Sequence, residues 1–370
     1  MDIQEARERI RETDEQMAAL FLKRMEAVRE VAAYKKERGL PVEDPVQEKK
    51  KIEHQSGLIE DEELKPYYIR FLQDTMDVSK RLQHRLMHGQ KIAYSGVEGA
   101  FAQIAAGKIF PEGTPVACAS FEEAYEAVEK GDCDLAVLPI ENSHAGEVGQ
   151  VIDLMLNGTL HVNAVYSLSV VQNLVGLPGT RREEIRKVIS HPQALMQCQA
   201  YIQKNGFETQ TAGNTAIAAR KVAELQEKDT AAIASEETAE LYGLSVLDHD
   251  INEDRANTTR FAVFSKTEGF AGGKKENNAF ILLFTVKDEV GGLAKAINVI
   301  SAYDYNMRVL RSRPMKDLPW HYYFYAEVEG DDQSERGKRM LSALHGACTQ
   351  VKIAGRYPAE EKIPEQGDKL

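Results

Sequence analysis

A stripe of side chains in the first segment of the chain constrains its fold more than any other feature. Its members are three or four residues apart, and they run Arg7, Ile10, Asp14, Met17, Phe21, Arg24, Val28, Val31 and Lys35. This spacing predicts a helix that turns the stripe towards other protein. Cations on such a face are costly to bury unless an anion meets them. We therefore expect the inner face of this helix to bind a small anion.

The spacing of the three cations also predicts how many chains build the site. Arg24 and Lys35 lie ~17 Å apart at ~1.5 Å per residue, so their long side chains can hold opposite ends of one small dianion. Arg7 lies a further ~26 Å away and can reach the same ligand only from a second, antiparallel copy of the helix. We expect a helical dimer whose sites borrow Arg7 from the partner. A coiled-coil seam with basic side chains reaching solvent is the alternative interpretation.

The local pattern changes twice along the chain. Glycine and proline are sparse at first, which predicts an all-helical domain over 1–88. Short β-branched runs then alternate with Ala/Glu/Lys-rich stretches and predict an α/β domain over 91–265. Residues 266–278 are typical of a linker. The order βαββαβ that follows predicts a ferredoxin-like α+β domain over 279–356, and the polar tail 359–370 is expected to be disordered.

Composition excludes several classes of protein. The 370 residues include 46 Lys+Arg and 58 Asp+Glu, a net charge of −12, so nucleic acid and anionic membranes are not expected as partners. No apolar run approaches the ~20 residues of a membrane span, and the acidic N-terminus lacks the order of a signal peptide. The four cysteines have no metal-ligand spacing. We expect a cytoplasmic protein with free thiols and no metal.

Further polar residues fall one helical turn apart: Asp44 with Glu48, and Ser79 with Gln83. With the cationic stripe, they make residues 1–88 resemble the all-helical chorismate mutase domain, a domain-swapped dimer of three-helix chains. The resemblance implies the pericyclic rearrangement of chorismate to prephenate. That reaction depends on orientation and electrostatic stabilisation, and it needs no cofactor.

The resemblance also implies roles for these residues. Lys35 and Gln83 are expected as catalytic residues at the breaking ether bond. The substrate-binding residues are expected to be Arg24 and the partner's Arg7 on the carboxylates, Glu48 on the ring hydroxyl, and Asp44 and Ser79. Gln47 departs from the family, which usually has arginine there. A helical domain that only dimerises the chain is therefore the alternative.

Four polar motifs follow predicted strands of the middle domain, at 95–101, 139–143, 190–193 and 257–261. Open α/β sheets bind ligands at the carboxyl ends of their strands. Together the motifs resemble the prephenate dehydratase domain, which has two α/β lobes like a periplasmic binding protein and its site in the cleft. The chain is expected to cross between lobes near Tyr166 and Asp250.

The dehydratase resemblance implies loss of carbon dioxide and hydroxide from prephenate to give phenylpyruvate. Thr259 is expected as the catalytic hydroxyl that polarises the leaving group. The substrate-binding residues are expected to be Asn142, Ser143, Ser190, Gln197 and Arg260. For Arg260 a structural ion pair is the alternative, and arogenate is the alternative substrate.

Residues 279–356 resemble an ACT domain, a module that binds amino acids at dimer interfaces. The matching effector-binding positions are Gly291, Gly292, Leu293 and Ala294, and Ser312, Arg313 and Pro314. The resemblance implies feedback inhibition by phenylalanine and a homodimer or homotetramer. Arg311 replaces a usual glutamate and is expected to reverse a charge beside the effector. A packing module without ligand is the alternative.

Overall fold

The computed structural model describes residues 2–254, 256–269, 279–316, 318, 320–358 and 360–363. The chain divides into two compact units, Met1–Lys91 and Ile92–Leu370. The predicted linker from 270 onwards and most of the predicted tail lie outside the described residues. No helix in the described part is long and apolar enough to cross a membrane.

The first unit is helical, as predicted. Its helices are α1 (Ile3–Arg38), α2 (Pro45–Ser56) and α3 (Lys65–His88). Gly39 ends α1 in the left-handed conformation at φ +63°, and the Asp44 carboxylate caps α2. A small core gathers near the end of α1, where Ala32 packs with Val42 and Met87.

Only the C-terminal half of the predicted inner face of α1 packs against other residues of the same chain. All side chains from Arg7 to Lys23 are exposed, including Ile10, Met17 and Phe21. Burial begins with Met25, whereas Arg24 is half-buried. The first half of α1 therefore presents a large apolar face that this chain does not cover.

The second unit has the predicted alternation of helices and strands. Its helices are α4 (Phe101–Ile109), α5 (Phe121–Lys130), α6 (Gly149–Asn157), α7 (Pro192–Gln197), α8 (Gln199–Asn205), α9 (Thr215–Leu225), α10 (Glu236–Leu241), α11 (Gly292–Ala302) and α12 (Glu335–Ala347), with a 3-10 turn at Arg182–Glu184. Its strands are β1 (Lys91–Ser95), β2 (Thr114–Cys118), β3 (Leu135–Asn142), β4 (Gly146–Glu147), β5 (His161–Ser169), β6 (Asn173–Gly176), β7 (Lys187–Ser190), β8 (Glu208–Thr211), β9 (Thr230–Ala234), β10 (Ser245–Asp248), β11 (Thr258–Ser265), β12 (Ala279–Thr285), β13 (Met307–Pro314), β14 (Tyr322–Glu329), β15 (Gln350–Tyr357) and β16 (Glu361–Lys362).

Two sheets form two lobes. The first has the order β13-β14-β12-β15-β5-β11-β3-β1-β2, and the second has the order β10-β6-β9-β7-β8. The chain leaves the first sheet after Ser169 and returns at Thr258, so the first crossing lies slightly later than predicted. Between the lobes, the ends of β3, β7 and β11 face a common cleft.

The last part of the chain has the predicted βαββαβ order and continues the first sheet. Strand β15 pairs in parallel with β5, where Gly355 faces Val162. A Cβ at Gly355 would lie 2.3 Å from the Val162 carbonyl oxygen, so glycine is required for this close approach. Residues Glu361 and Lys362 also pair with β5. The prediction of a disordered tail is therefore wrong for this short strand.

Candidate active sites

A pocket of about 370 Å³ in the helical unit brings most of the predicted mutase residues together. The residues expected from the sequence that line it are Arg24, Lys35, Asp44, Glu48, Ser79 and Gln83. They meet because α1, α2 and α3 each present one helical face to the same space. Arg7 does not line this pocket, since it lies on the exposed first half of α1.

The pocket is rich in cations that carboxylates do not neutralise. Arg24 donates to the Thr75 carbonyl oxygen at 3.3 Å and contacts the Ser79 hydroxyl. The Lys35 ammonium donates to the Val42 carbonyl oxygen at 2.6 Å. Neither cation has a carboxylate within 4.0 Å among the described residues. Burial lowers the pKa of Arg24, which means that its surroundings oppose its charge. An anionic ligand would relieve that cost.

The polar side chains of α2 and α3 complete the wall of this pocket. Lys80 pairs with Glu48 at 3.1 Å, so one pocket carboxylate is held in place by a cation from α3. Gln83 is 8% exposed, and its side-chain oxygen is buried without a hydrogen-bond partner in the described structure. Rotation about the last torsion can present either the oxygen or the amino group there. A ligand with a polar atom at this depth would satisfy the amide.

A second site lies in the cleft between the lobes, with a volume of about 500 Å³. Thr259 at the start of β11 faces Asn142 at the end of β3, and the Asn142 amino group donates to its hydroxyl at 3.0 Å. The amide orientation is fixed, because the Asn142 oxygen accepts from the backbone amides of His144 and Ala145 at 3.0 Å. The Thr259 hydroxyl accepts from Asn142, so its own proton remains available for a ligand.

Other amides extend this network across the cleft. Gln193 donates to the Asn142 oxygen at 3.1 Å, and Asn257 donates to the Gln197 oxygen at 3.0 Å. The Gln197 nitrogen and the Gln172 oxygen are buried without partners among the described residues. The cleft therefore combines a hydroxyl donor with amide groups that have hydrogen bonds left to make.

The charges of the cleft differ from those of the helical pocket. No lysine or arginine lines it among the described residues, and burial lowers the pKa of His191, so its imidazole is neutral at pH 7. The His191 Nδ1 accepts from the Gln193 backbone amide at 3.3 Å. Helices α4 and α9 begin at the cleft, where Phe101 and Thr215 line it. The Asn214 side chain caps α9, whereas α4 has no side-chain cap, and the positive ends of both helix dipoles favour an anion without a cationic side chain.

Known proteins are similar to both units of the chain. The chorismate mutase type II family model matches residues 6–84, and the prephenate dehydratase model matches residues 92–269. A bifunctional chorismate mutase/prephenate dehydratase of Enterobacter agglomerans is 29% identical, over 97% of this chain and 97% of that protein. The chain belongs to the bifunctional chorismate mutase/prephenate dehydratase family. The predicted isomerase and lyase activities, which serve phenylalanine biosynthesis, are thereby confirmed.

Two further relatives are similar to about three quarters of this chain. The chloroplastic arogenate dehydratase/prephenate dehydratase 2 of Arabidopsis thaliana is 34% identical, over 76% of this chain and 77% of that protein. The prephenate dehydratase of Arthrobacter aurescens, solved in complex with L-Phe, shares the fold. Its TM-score is 0.66 at 24% identity, over 72% of this chain and 89% of that chain.

The structure does not bring every predicted dehydratase residue to the cleft. Ser190 is fully buried and donates to the Ile233 carbonyl oxygen at 2.7 Å, so its hydroxyl holds β7 to β9. Ser143 is exposed beside the cleft and accepts from the Thr258 backbone amide at 3.0 Å. Ser143 therefore supports the strands that carry Asn142 and Thr259, whereas Ser190 supports the second sheet. Neither serine is among the described residues that line the cleft, so the prediction that they line the substrate site is not met.

Arg260 points away from the cleft because neighbouring residues of a strand face opposite sides. Its guanidinium pairs with Glu327 of β14 at 2.7 Å, with Glu141 at 2.9 Å and with Glu360 at 3.0 Å. Burial opposes its charge, but the hydrogen bonds and charges of these carboxylates raise its pKa overall. Of the two expectations for Arg260, the structural ion pair is the one that the geometry supports.

The predicted effector positions separate into two groups. Leu293 lines a pocket of about 600 Å³ with Trp320 and Phe324. Arg313 instead pairs with Asp153 at 2.9 Å. Arg311 likewise contacts Glu141, so its charge is paired with a carboxylate at the end of β3. Alternation along β13 explains these contacts, because these two arginines share the face turned towards the dehydratase lobe. The expectation that Arg311 changes the charge beside an effector stays a prediction.

Sequence reasoning did not select three residues that the structure brings to the sites. Gln193 and Gln172 face the dehydratase cleft, and Lys51 faces the mutase pocket. Gln193 belongs to the 190–193 motif, so its position beside a strand end was a usable indication. Gln172 carries no local pattern, and Lys51 is one of three consecutive lysines that together are typical of a solvated surface.

Proposed function

We propose that the pocket of the helical unit is the mutase site and that the cleft around Thr259 is the dehydratase site. The unneutralised cations Arg24 and Lys35 carry the first assignment. Held in the reactive chair, chorismate needs only a pericyclic shift of electrons. Lys35 and Gln83 donate to the ether oxygen as negative charge develops there. Glu48 accepts from the ring hydroxyl. Asp44, which caps the start of α2, and Ser79, which contacts Arg24 from the middle of α3, line the same pocket.

The mutase site is completed by Arg7 of the partner subunit. The supporting observation is the exposed first half of α1, where Ile10, Met17 and Phe21 form an apolar face beside Arg7. A face of this kind is typical of a protein interface. A second chain packed antiparallel covers it and brings Arg7 of the partner subunit to the substrate. With contacts between the C-terminal modules (residues 279–356 of each subunit), this dimerisation gives a homodimer or a homotetramer.

Mixing two inactive variants tests the shared site. Arg7→Ala and Arg24→Ala should each lose mutase activity as pure dimers, since every site then lacks one arginine. After subunit exchange, about half of the dimers are mixed and have one intact site, so about a quarter of the wild-type activity should return. No recovery, in a mixture shown to contain mixed dimers, would mean that each site is built from one chain.

In the dehydratase, the Thr259 hydroxyl donates to the hydroxyl that leaves the prephenate ring. The bond to the ring carboxylate breaks, its electron pair enters the ring, and the carbon–oxygen bond breaks on the other side. With one proton taken up, the products are carbon dioxide, water and phenylpyruvate. Asn142 fixes the direction of the Thr259 proton, and Gln197 has a free amide nitrogen to hold the substrate.

Crossed substitutions test the assignment of the two sites. Arg24→Ala should abolish loss of chorismate while the rate with added prephenate stays near that of the wild type. Thr259→Ala should do the reverse. Equal loss of both activities in either variant would contradict two separate sites, and unchanged loss of chorismate in Arg24→Ala would mean that the pocket around Arg24 is not the mutase site.

The third domain, 279–356, is proposed to be an ACT domain that binds phenylalanine and inhibits the enzyme. Gly292 begins α11 where a Cβ would lie 2.4 Å from the Lys287 carbonyl oxygen, so only glycine fits this turn. Gly291 and Ala294 flank it, and Leu293 provides apolar contact for an aromatic ring. Of the second motif, Ser312 and Pro314 are exposed and Arg313 is used against the dehydratase lobe. The effector contacts are therefore assigned to the first motif.

Arogenate is the second candidate substrate of the cleft. It differs from prephenate by an amine in place of the keto group. The Arabidopsis relative is named for both arogenate and prephenate dehydratase activity, and this observation supports arogenate as a candidate. The domain limits proposed are 1–88, 91–265 and 279–356, and the two family matches support the first two.

A further inference from the structure

Helix α2 contributes another cation to the mutase pocket. Lys51 follows Gln47 by one helical turn, and both line the pocket beside Arg24. Lys51 is half-buried, whereas Lys49 and Lys50 are exposed. The three consecutive lysines are therefore in different environments, and only Lys51 faces the pocket.

The surroundings of Lys51 are unfavourable for a positive charge. Burial lowers the pKa of Lys51, and the nearby charge of Arg24 lowers it further. No carboxylate lies within 4.0 Å of Lys51 among the described residues. The two carboxylates of this wall have other partners, since Glu48 pairs with Lys80 and Asp44 accepts from the Gln47 backbone amide at 3.0 Å.

Two like charges on one half-buried wall repel each other unless an anion joins them. Gln47, which faces the same space, is neutral and cannot neutralise a carboxylate. We propose that Lys51 is a substrate-binding residue of the mutase, which holds one carboxylate of the dianion together with Arg24. This inference rests on the assignment of the pocket as the mutase site. In it, Lys51 supplies the positive charge that the family usually has as an arginine at position 47.

A charge-assisted hydrogen bond contributes about 1.5–3 kcal/mol, which corresponds to about a 10–100-fold change in a rate or binding constant. In the full-length protein, Lys51→Met should therefore lower the mutase kcat/KM about 10–100-fold. Lys50→Met removes the same charge from the neighbouring exposed position and should leave kcat/KM unchanged. The rate with added prephenate, measured on each preparation, shows that the dehydratase site is intact.

Two further variants separate a binding role from a structural one. Lys51→Arg keeps the charge and should retain most of the activity, and Gln47→Arg added to Lys51→Met should restore part of it. Wild-type kcat/KM in Lys51→Met, with Arg24→Ala inactive, would overturn the role of Lys51 alone. Equal losses in Lys51→Met and Lys51→Arg would overturn it as well. Undiminished chorismate turnover in Arg24→Ala would overturn the site assignment itself.

Discussion

Replacement of Glu327 by glutamine should loosen the C-terminal module from the dehydratase lobe. Glu327 is 2% exposed, and its two oxygens accept from Arg260 at 2.8 and 2.7 Å. The hydroxyls of Tyr325 and Tyr357 donate to the same carboxylate at 2.8 Å. In the Glu327→Gln variant, one of these acceptors becomes an amino group, which meets an Arg260 N–H that can only donate.

The magnitude follows from what remains around Arg260. Breaking a buried ion pair costs about 3–5 kcal/mol. Arg260 keeps Glu141 and Glu360, so we expect the lower end, about 3 kcal/mol, which is about a 100-fold change in an opening equilibrium. Amide hydrogen exchange measures this directly, because it reports on β11 and β14 separately from the helical unit. Exchange in those strands should become about 100-fold faster, with the helical unit unchanged.

A matched control lies two residues further along the same strand. Glu329→Gln removes an exposed carboxylate on the same face, which accepts a hydrogen bond from Asn306 at 2.8 Å. This variant should change the rate of amide hydrogen exchange by less than about threefold. If Glu327→Gln changed exchange no more than Glu329→Gln, the buried network would not hold the module. That result would refute the reasoning.

The same carboxylate predicts how acid acts on the module. Burial opposes the charge of Glu327, but hydrogen bonds from Arg260 and the attraction of its charge lower its pKa overall. A lowered pKa in the folded state means that the stabilisation is present above the ordinary glutamate value of 4.5 and is lost as pH falls further. Exchange in β14 should therefore accelerate below that pH in the wild type. The Glu327→Gln variant should lack this part of the acid response.

Three other predictions concern the ligands. Trp320 is the one tryptophan in the sequence, and it lines the pocket beside Leu293. Binding of phenylalanine should therefore change the tryptophan fluorescence, and Leu293→Ala should weaken that change. Unchanged fluorescence at saturating phenylalanine would place the effector elsewhere. Gln83→Glu should confine mutase activity to acidic pH, because only a protonated carboxyl can donate to the ether oxygen. If the activity of this variant did not depend on pH, Gln83 would not be the donor to that oxygen. In competition, prephenate should have a higher kcat/KM than arogenate, and the reverse order would make arogenate the substrate of the cleft.

Local patterns were sufficient for most of the fold and for much of the mutase pocket. The steps of three and four in α1 predict its helix, and they also place Arg24 and Lys35 on one face. The same reasoning did not select Lys51. Its position depends on how α2 packs against α1 and α3, which the spacing within a single helix does not describe.

Long-range pairing explains the corrections in the second unit. Alternation along β11 predicts that Thr259 and Arg260 face opposite sides of the sheet. It does not predict what covers the second side. The module reaches Arg260 because β15 pairs with β5, almost two hundred residues away in the chain. The contacts of Arg311 and Arg313 with Glu141 and Asp153 were not predicted for the same reason, since the ACT resemblance describes a module by itself and not its contacts with the lobe.

The two proposed sites differ in their charged side chains, and the reactions proposed for them explain the difference. In the proposed assignment, chorismate keeps both carboxylates during its rearrangement, so a cation such as Arg24 can hold one of them throughout. Prephenate loses one carboxylate as neutral carbon dioxide. A cation held tightly on that group would stabilise the substrate more than the transition state and would slow the reaction. No lysine or arginine lines the cleft among the described residues. The groups available to bind an anion there are side-chain amides, the Thr259 hydroxyl and the N-termini of α4 and α9. Arg260, the cation nearest in sequence to Thr259, is held on the far side of the strand by Glu327.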